Sequence, residues 1–283
     1  MAQSSDKTLQ QPQGADVVYQ DKFIDIDCLS LHYLDWGYDD KPDMLLIHGM
    51  TGNCHDWDSF AARTRENYHV LALDQPGHGD SDWLKEGCYQ TVNYLKALEG
   101  FVDGVGLKHF VYIGHSMGAH NGLGYVASHP DRVEKLVLVD FGPAREFPRQ
   151  SWDQPPESFG SVEEVFDWLK QGRETTPYEV LKEKAVWRTK KLPSGKYLFK
   201  YDPAVSDTWD CEDLWSEVPK VSCPTLVMRG GESTSVSTDY LKRVAATLPR
   251  GHYVEIPGAG HSIMLDQLDL FTAEVSSFLK VAL

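Results

Sequence analysis

Ser116 lies at the centre of Gly114-His115-Ser116-Met117-Gly118, a G-x-S-x-G run that sets a hydroxyl between two glycines. The residues before it, His109 to Ile113, form a short apolar run of strand length, and those after it, Ser116 to Ser128, follow a helical pattern. A serine on so tight a strand-to-helix turn sits in strained backbone, and neighbours without side chains permit the turn while leaving Oγ exposed above a sheet edge. A hydroxyl is a weak nucleophile at neutral pH and needs an adjacent base to take its proton. His261, at the end of Pro257-Gly258-Ala259-Gly260-His261, is the candidate base, because its loop follows the last strand-like run and reaches back over the edge where Ser116 emerges.

The elements that must position these two residues are readable from pattern. Lys22 to Asp27 and Ser30 to Trp36 alternate apolar and polar residues about a polar turn, which predicts an antiparallel hairpin at a sheet edge. Buried-type strands follow at Met44 to Ile47, His69 to Leu73, His109 to Ile113 and Leu136 to Val139. Helical stretches at Asp56 to Arg65, Gln90 to Val105 and Ser116 to Ser128 separate them. Strand, helix, strand repeated in this order predicts an α/β fold with a mostly parallel, doubly wound sheet. The rhythm breaks after Phe141, where prolines interrupt two helical stretches, Val162 to Gln171 and Tyr178 to Lys190, and we read an inserted helical lid. The sheet resumes at Thr225 to Met228, then a helix to Thr247, a strand at Tyr253 to Ile256 and a closing helix from Gln267 to Val281. The expected organisation is a disordered polar tail over 1–18, a core over 19–142 and 217–283, and a lid over 143–216.

Composition narrows the partners. A net charge of −15 would repel nucleic acid and anionic membranes, so small molecules are the expected ligands. The first sixteen residues lack the apolar run of a secretory signal, and no stretch has the length of a membrane span. Five cysteines, odd in number and never spaced C-x-x-C, suggest neither a disulfide framework nor a zinc site, so no metal is expected and a reducing cytoplasm is the default.

Taken in order, these motifs resemble the α/β-hydrolase family over nearly the whole chain after about residue 20. His48-Gly49-Met50-Thr51-Gly52 follows the first parallel strand, where the family carries its oxyanion-hole loop. Asp74 to Ser81 (DQPGHGDS) looks like the family's next turn, and PGAGH ending at His261 looks like its histidine loop. The resemblance implies Ser116 as nucleophile, His261 as base, and an oxyanion hole made by the backbone N–H groups of Met50 and Met117. It allows two acids. One is Glu232, after the later strand in Arg229-Gly230-Gly231-Glu232-Ser233-Thr234-Ser235-Val236. The other is Asp140, at the end of the strand before the lid, where relatives with a similar arginine, glycine and serine-rich turn carry it. Asp140 is preferred, because it lies one helix and one strand after Ser116 on the same sheet edge. His48 is read as ordering its loop, and His115, His120 and His129 as packing or helix-surface groups.

The activity so implied is a cofactor-free serine hydrolase that cleaves a small carboxylic ester through an acyl-enzyme. Amide, enamide or C–C bond hydrolysis stays open on the same residues. Aspartate at this serine's place would mark a dehalogenase or epoxide hydrolase, so both are disfavoured. Two readings come from other classes: a cofactor-independent lyase or oxygenase using His261 as base, and a ligand-sensing module. Candidate substrate contacts are Gly49, Trp187 and Arg145, with Arg149 beside it, since a guanidinium suits a substrate carboxylate.

Overall fold

In the computed structural model, which describes residues 18–147 and 155–283, the apolar runs pair into one eight-stranded sheet. Its strands are β1 (Gln20–Ile26), β2 (Leu29–Asp35), β3 (Asp43–Ile47), β4 (His69–Leu73), β5 (Phe110–His115), β6 (Val133–Val139), β9 (Thr225–Gly230) and β10 (Gly251–Ile256). They lie in the order β1-β2-β4-β3-β5-β6-β9-β10. β2 runs antiparallel to both of its neighbours, and every pair from β4 to β10 is parallel. Arg149 and almost all of the expected N-terminal tail lie outside the described residues.

Period-2 side-chain alternation splits the core into two faces. Leu45, Leu71, Tyr112, Leu138 and Val227 pack with Phe101 of α2 (Thr91–Gly104), Leu123 of α3 (Met117–Ser128) and Leu241 of α7 (Thr238–Thr247). Met44, Val70, Ile113, Val137 and Met228 pack instead with Phe60 of α1 (Asp58–Thr64) and Phe271 of α8 (Leu268–Leu279). β3, β4, β5, β6 and β9 are therefore apolar on both sides, as a sheet covered by helices on both faces requires. The chain leaves β3 toward one face and β5 toward the other, so a crevice opens between the ends of these neighbouring strands.

The segment between β6 and β9 builds α4 (Val162–Leu169), α5 (Tyr178–Trp187), a small hairpin of β7 (Thr189–Lys191) with β8 (Tyr197–Phe199), and α6 (Pro203–Thr208). Phe159, Val165, Phe166, Leu169, Leu181 and Ala185 give it a hydrophobic cluster of its own. The helix expected to run to Lys190 stops at Trp187. Thr189, β-branched, opens β7 instead, and Leu192-Pro193-Ser194-Gly195 turns the chain, with Gly195 N–H donating to Leu192 C=O at 2.9 Å. Among the described residues no helix is long and apolar enough to cross a membrane.

Candidate active site

Ser116 terminates β5 with φ 51° and ψ −116°, a backbone that a residue with a Cβ rarely adopts, and Met117 begins α3 directly after it. The Ser116 amide donates to Val139 C=O of the neighbouring strand at 2.9 Å, which holds the turn against the sheet. As the first residue of α3, Met117 has an N–H with no helical acceptor, one of the free donors every helix start presents.

On the adjacent strand, β6 ends at Val139, and Asp140 turns out of it with φ 54°, a left-handed conformation that aspartate tolerates better than most residues. Its fully buried carboxylate receives three hydrogen bonds. Gly230 N–H donates to Oδ1 at 2.9 Å, Ser233 Oγ to Oδ2 at 2.5 Å, and His261 Nδ1 to Oδ2 at 2.7 Å. Because the carboxylate holds the Nδ1 proton, Nε2 of His261 is left as a free lone pair. Glu232, the alternative acid, is exposed, and its amide donates to Ala259 C=O at 2.8 Å in the histidine loop. The structure thus brings Asp140, and not Glu232, against the imidazole.

Ser116, His261, Gly49 and Met50 line one cavity of about 950 Å³. No hydrogen bond joins Ser116 Oγ to the imidazole among the described residues; such contacts commonly tighten only when substrate binds. Gly49 passes so close to the turn that a Cβ on it would lie 2.7 Å from His115 Nδ1 and 2.9 Å from Ser116 Cβ. His48 orders this loop: Gln75 N–H donates to its Nε2 at 3.0 Å, so Nδ1 carries the proton and donates to Gly49 C=O at 2.7 Å.

His115, one of the histidines read as packing or helix-surface groups, is buried and packs in the cavity wall. Its Nε2 donates to the His261 carbonyl at 2.9 Å, the two rings lie 4.7 Å apart, and Nδ1 has no partner among the described residues. Burial, then the neighbouring imidazole, holds its pKa well below the ordinary value, so it stays neutral. Arg145 does line the cavity, its guanidinium 5.1 Å over the Trp209 ring. Trp187 does not line it: its ring stacks on His55 at 3.7 Å and its carbonyl accepts from Asn53 Nδ2 at 2.9 Å, pinning α5 to the loop after β3.

The parts that Ser233, Arg188 and Arg173 play here escape sequence reasoning. Ser233 holds Asp140 from a turn that shows only as serine-rich. Arg188 Nη2 donates to both oxygens of Asp56, at 2.8 and 2.7 Å, across 132 positions of sequence. Burial opposes the Asp56 charge, yet Arg188 and then Lys184 hold its pKa below the usual carboxylate value. Arg173 and Tyr201 also line the cavity.

A sequence profile of the alpha/beta hydrolase family matches residues 44–274. The chain belongs to that family. It is 26% identical over 247 residues to the 2-(acetamidomethylene)succinate hydrolase of Mesorhizobium japonicum, covering 85% of this chain and 88% of the relative. An esterase of Mycobacterium tuberculosis is 28% identical over 247 residues, with 83% and 81% covered, and a non-heme chloroperoxidase of Burkholderia pyrrocinia is 27% identical over 280, with 90% and 97% covered. In structure the chain is similar to an E-2-(acetamidomethylene)succinate hydrolase, with TM-score 0.83 and 24% identity over 93% of this chain and 100% of the other, which establishes the shared fold. Relatives bearing the names hydrolase and esterase place the chain in the hydrolase class.

Proposed function

We propose that the protein is a serine hydrolase that cleaves a small carboxylic ester. The observation that carries this reading is the strained serine at the end of β5 in one cavity with an imidazole whose Nδ1 proton a buried carboxylate fixes. Ser116 Oγ attacks the ester carbonyl and its proton passes to Nε2 of His261. The oxyanion so formed is received by the N–H groups of Met117 and Met50. His261 then gives the proton to the departing alkoxide, leaving an acyl-serine and an alcohol. Water, deprotonated by the same imidazole, cleaves the acyl-serine to acid and free serine. Asp140 stabilises the imidazolium in both halves. The segment over 143–216, with its separate hydrophobic cluster, is proposed as a lid over this cavity.

A second reading, amide or enamide hydrolysis on the same residues, draws support from the relative named for an acetamidomethylene substrate. The test is a fluorophosphonate label followed by peptide mass analysis, together with rates on p-nitrophenyl esters of increasing acyl length and on an N-acyl enamine. We expect the adduct on Ser116 and its loss in Ser116→Ala. An unlabelled serine in an active preparation would instead favour a lyase or oxygenase that uses His261 alone as base.

A further inference from the structure

Among the described residues three arginines line the cavity, and two of them are already engaged. Arg188 is held by both oxygens of Asp56, and the Arg145 guanidinium lies over the Trp209 ring. Arg173, in the turn between α4 and α5, is different. Nη1 donates to Leu169 C=O at 3.0 Å, and among the described residues no carboxylate lies within ion-pair distance of the guanidinium. Nearby Asp266 is committed elsewhere: its oxygens accept from Thr175 Oγ1 at 2.7 Å, Thr176 Oγ1 at 2.5 Å and Gly260 N–H at 2.7 Å. Glu174 accepts from Gly172 N–H at 3.2 Å. Tyr201 lines the same wall, within the electrostatic reach of Arg173 and Arg188, and its hydroxyl has no hydrogen-bond partner among the described residues. Burial raises the Tyr201 pKa, so the hydroxyl remains a donor at neutral pH.

We propose that Arg173 and Tyr201 form a carboxylate-binding subsite in the wall of the Ser116 cavity, and that the natural substrate is an ester or amide carrying a second, ionised carboxyl group. The inference rests on the hydrolase reading of that cavity. Arg173 is half-buried in the cavity wall, with donors that no carboxylate of the described residues engages. Burial first, then the Arg188 charge, pulls its pKa down to about 10 against the opposing pull of Asp56 and Asp266, so it is still charged at neutral pH, and an incoming anion would meet a positive group free to pair with it. A planar guanidinium presents paired donors matched to a carboxylate, and the Tyr201 hydroxyl adds a third.

The experiment compares mono-p-nitrophenyl succinate with neutral p-nitrophenyl butyrate, and in parallel measures succinate binding to Ser116→Ala by calorimetry. The wild type is expected to prefer the anionic ester in kcat/KM. Arg173→Met should reduce that preference by about tenfold to a hundredfold, mainly through KM, as expected for losing hydrogen bonds to a charged group. Arg173→Lys should restore part of it, Tyr201→Phe should lower it by a smaller factor, and Tm of Arg173→Met should fall only slightly, since the bond to Leu169 C=O is lost but no ion pair is broken. Equal loss on both esters would make Arg173 a structural residue and overturn the proposal. An unchanged preference overturns it too. Succinate binding that Arg173→Met abolishes, in a protein that turns over neither ester, would uphold the subsite and reject the ester-hydrolase reading instead.

Discussion

Replacing Asp140 by asparagine keeps its shape and removes its charge, and the three hydrogen bonds at that carboxylate set the size of the effect. Oδ1 accepts from Gly230 N–H, while Oδ2 accepts from both Ser233 Oγ and His261 Nδ1. An asparagine has one acceptor oxygen. If that oxygen stays on Gly230, the NH₂ faces Nδ1 of His261 and forces the ring proton onto Nε2, where it cannot accept from Ser116. If the oxygen turns to His261, the NH₂ opposes the Gly230 N–H, two donors in a fully buried site. Either way the imidazolium loses its counter-charge, and kcat should fall by about 10³ to 10⁴, equivalent to roughly 4–5.5 kcal/mol of transition-state stabilisation. KM should change little, because the carboxylate lies behind the imidazole. The assay is steady-state hydrolysis of a p-nitrophenyl ester by Asp140→Asn and Glu232→Gln, with Tm measured on both. Glu232→Gln should lose less than about tenfold. An active Asp140→Asn beside a crippled Glu232→Gln would refute the reasoning.

Gly49→Ala should lower kcat by about 10², since a Cβ there must displace His115 or Ser116 and shift the Met50 amide from the oxyanion; unaltered kcat in an ester assay would show that this loop does not serve the reaction. Arg188→Met strands a buried Asp56 carboxylate and should cost about 3–5 kcal/mol in chemical denaturation. The double variant Asp56→Leu with Arg188→Met should cost less than that single change, and a larger loss would refute it. Stability should peak near pH 6.5. Burial opposes the His32 charge, but hydrogen bonds to Asp21 and Asp74 raise its pKa to about 9, and the bond to Asp35 raises that of His69 to about 9. The folded chain therefore holds protons the unfolded chain loses above about 6.5, and stability drains as pH climbs through 9. Burial lowers His120 to about 4 and His78 to about 3, so below about 6.5 the unfolded chain takes up protons that the folded chain refuses, and stability drops toward acid. A Tm that rises steadily from pH 6.5 to 9 would contradict the alkaline limb.

What could be read from the sequence is what local pattern controls. The strands of the sheet and the turn at Ser116 show as short apolar runs and a G-x-S-x-G pentapeptide, because side-chain period and turn chemistry act over a few residues. For the acid, the sequence favours Asp140 and keeps Glu232 as the alternative, since the partners that hold the carboxylate, Gly230 N–H and Ser233 Oγ, come from a turn distant in sequence. The place of Trp187 is hidden for a similar reason: an aromatic on a helix reads as a cavity residue or as packing until its neighbour, His55, is known. Arg188 and Asp56 are two ordinary charges in the chain, and only tertiary folding makes them a buried pair.

The sheet also explains why the Asp140 carboxylate meets His261. In the β5 and β6 pairing, His115 faces Val139, so Ser116 and Asp140 each follow a member of the last pair and leave neighbouring strands side by side, both with positive φ. His261 comes from beyond β10, two strands further along, and its loop must cross the end of β9 to meet them. It can do so because β9 ends in Gly230, where a Cβ would lie 2.0 Å from Gly260 C=O and 2.6 Å from Ala259 C=O. The loop is fastened there by Gly231 N–H to Ile256 C=O and Glu232 N–H to Ala259 C=O, each at 2.8 Å. With the β9 turn occupied by this crossing, its backbone supports the histidine loop from below, and the Gly230 N–H that would otherwise be left free points to the Asp140 carboxylate. A carboxylate directly after β6 is thus one strand nearer the serine and is satisfied by the same turn that carries the histidine loop, whereas Glu232, exposed and also in the cavity lining, makes no hydrogen bond to His261 among the described residues.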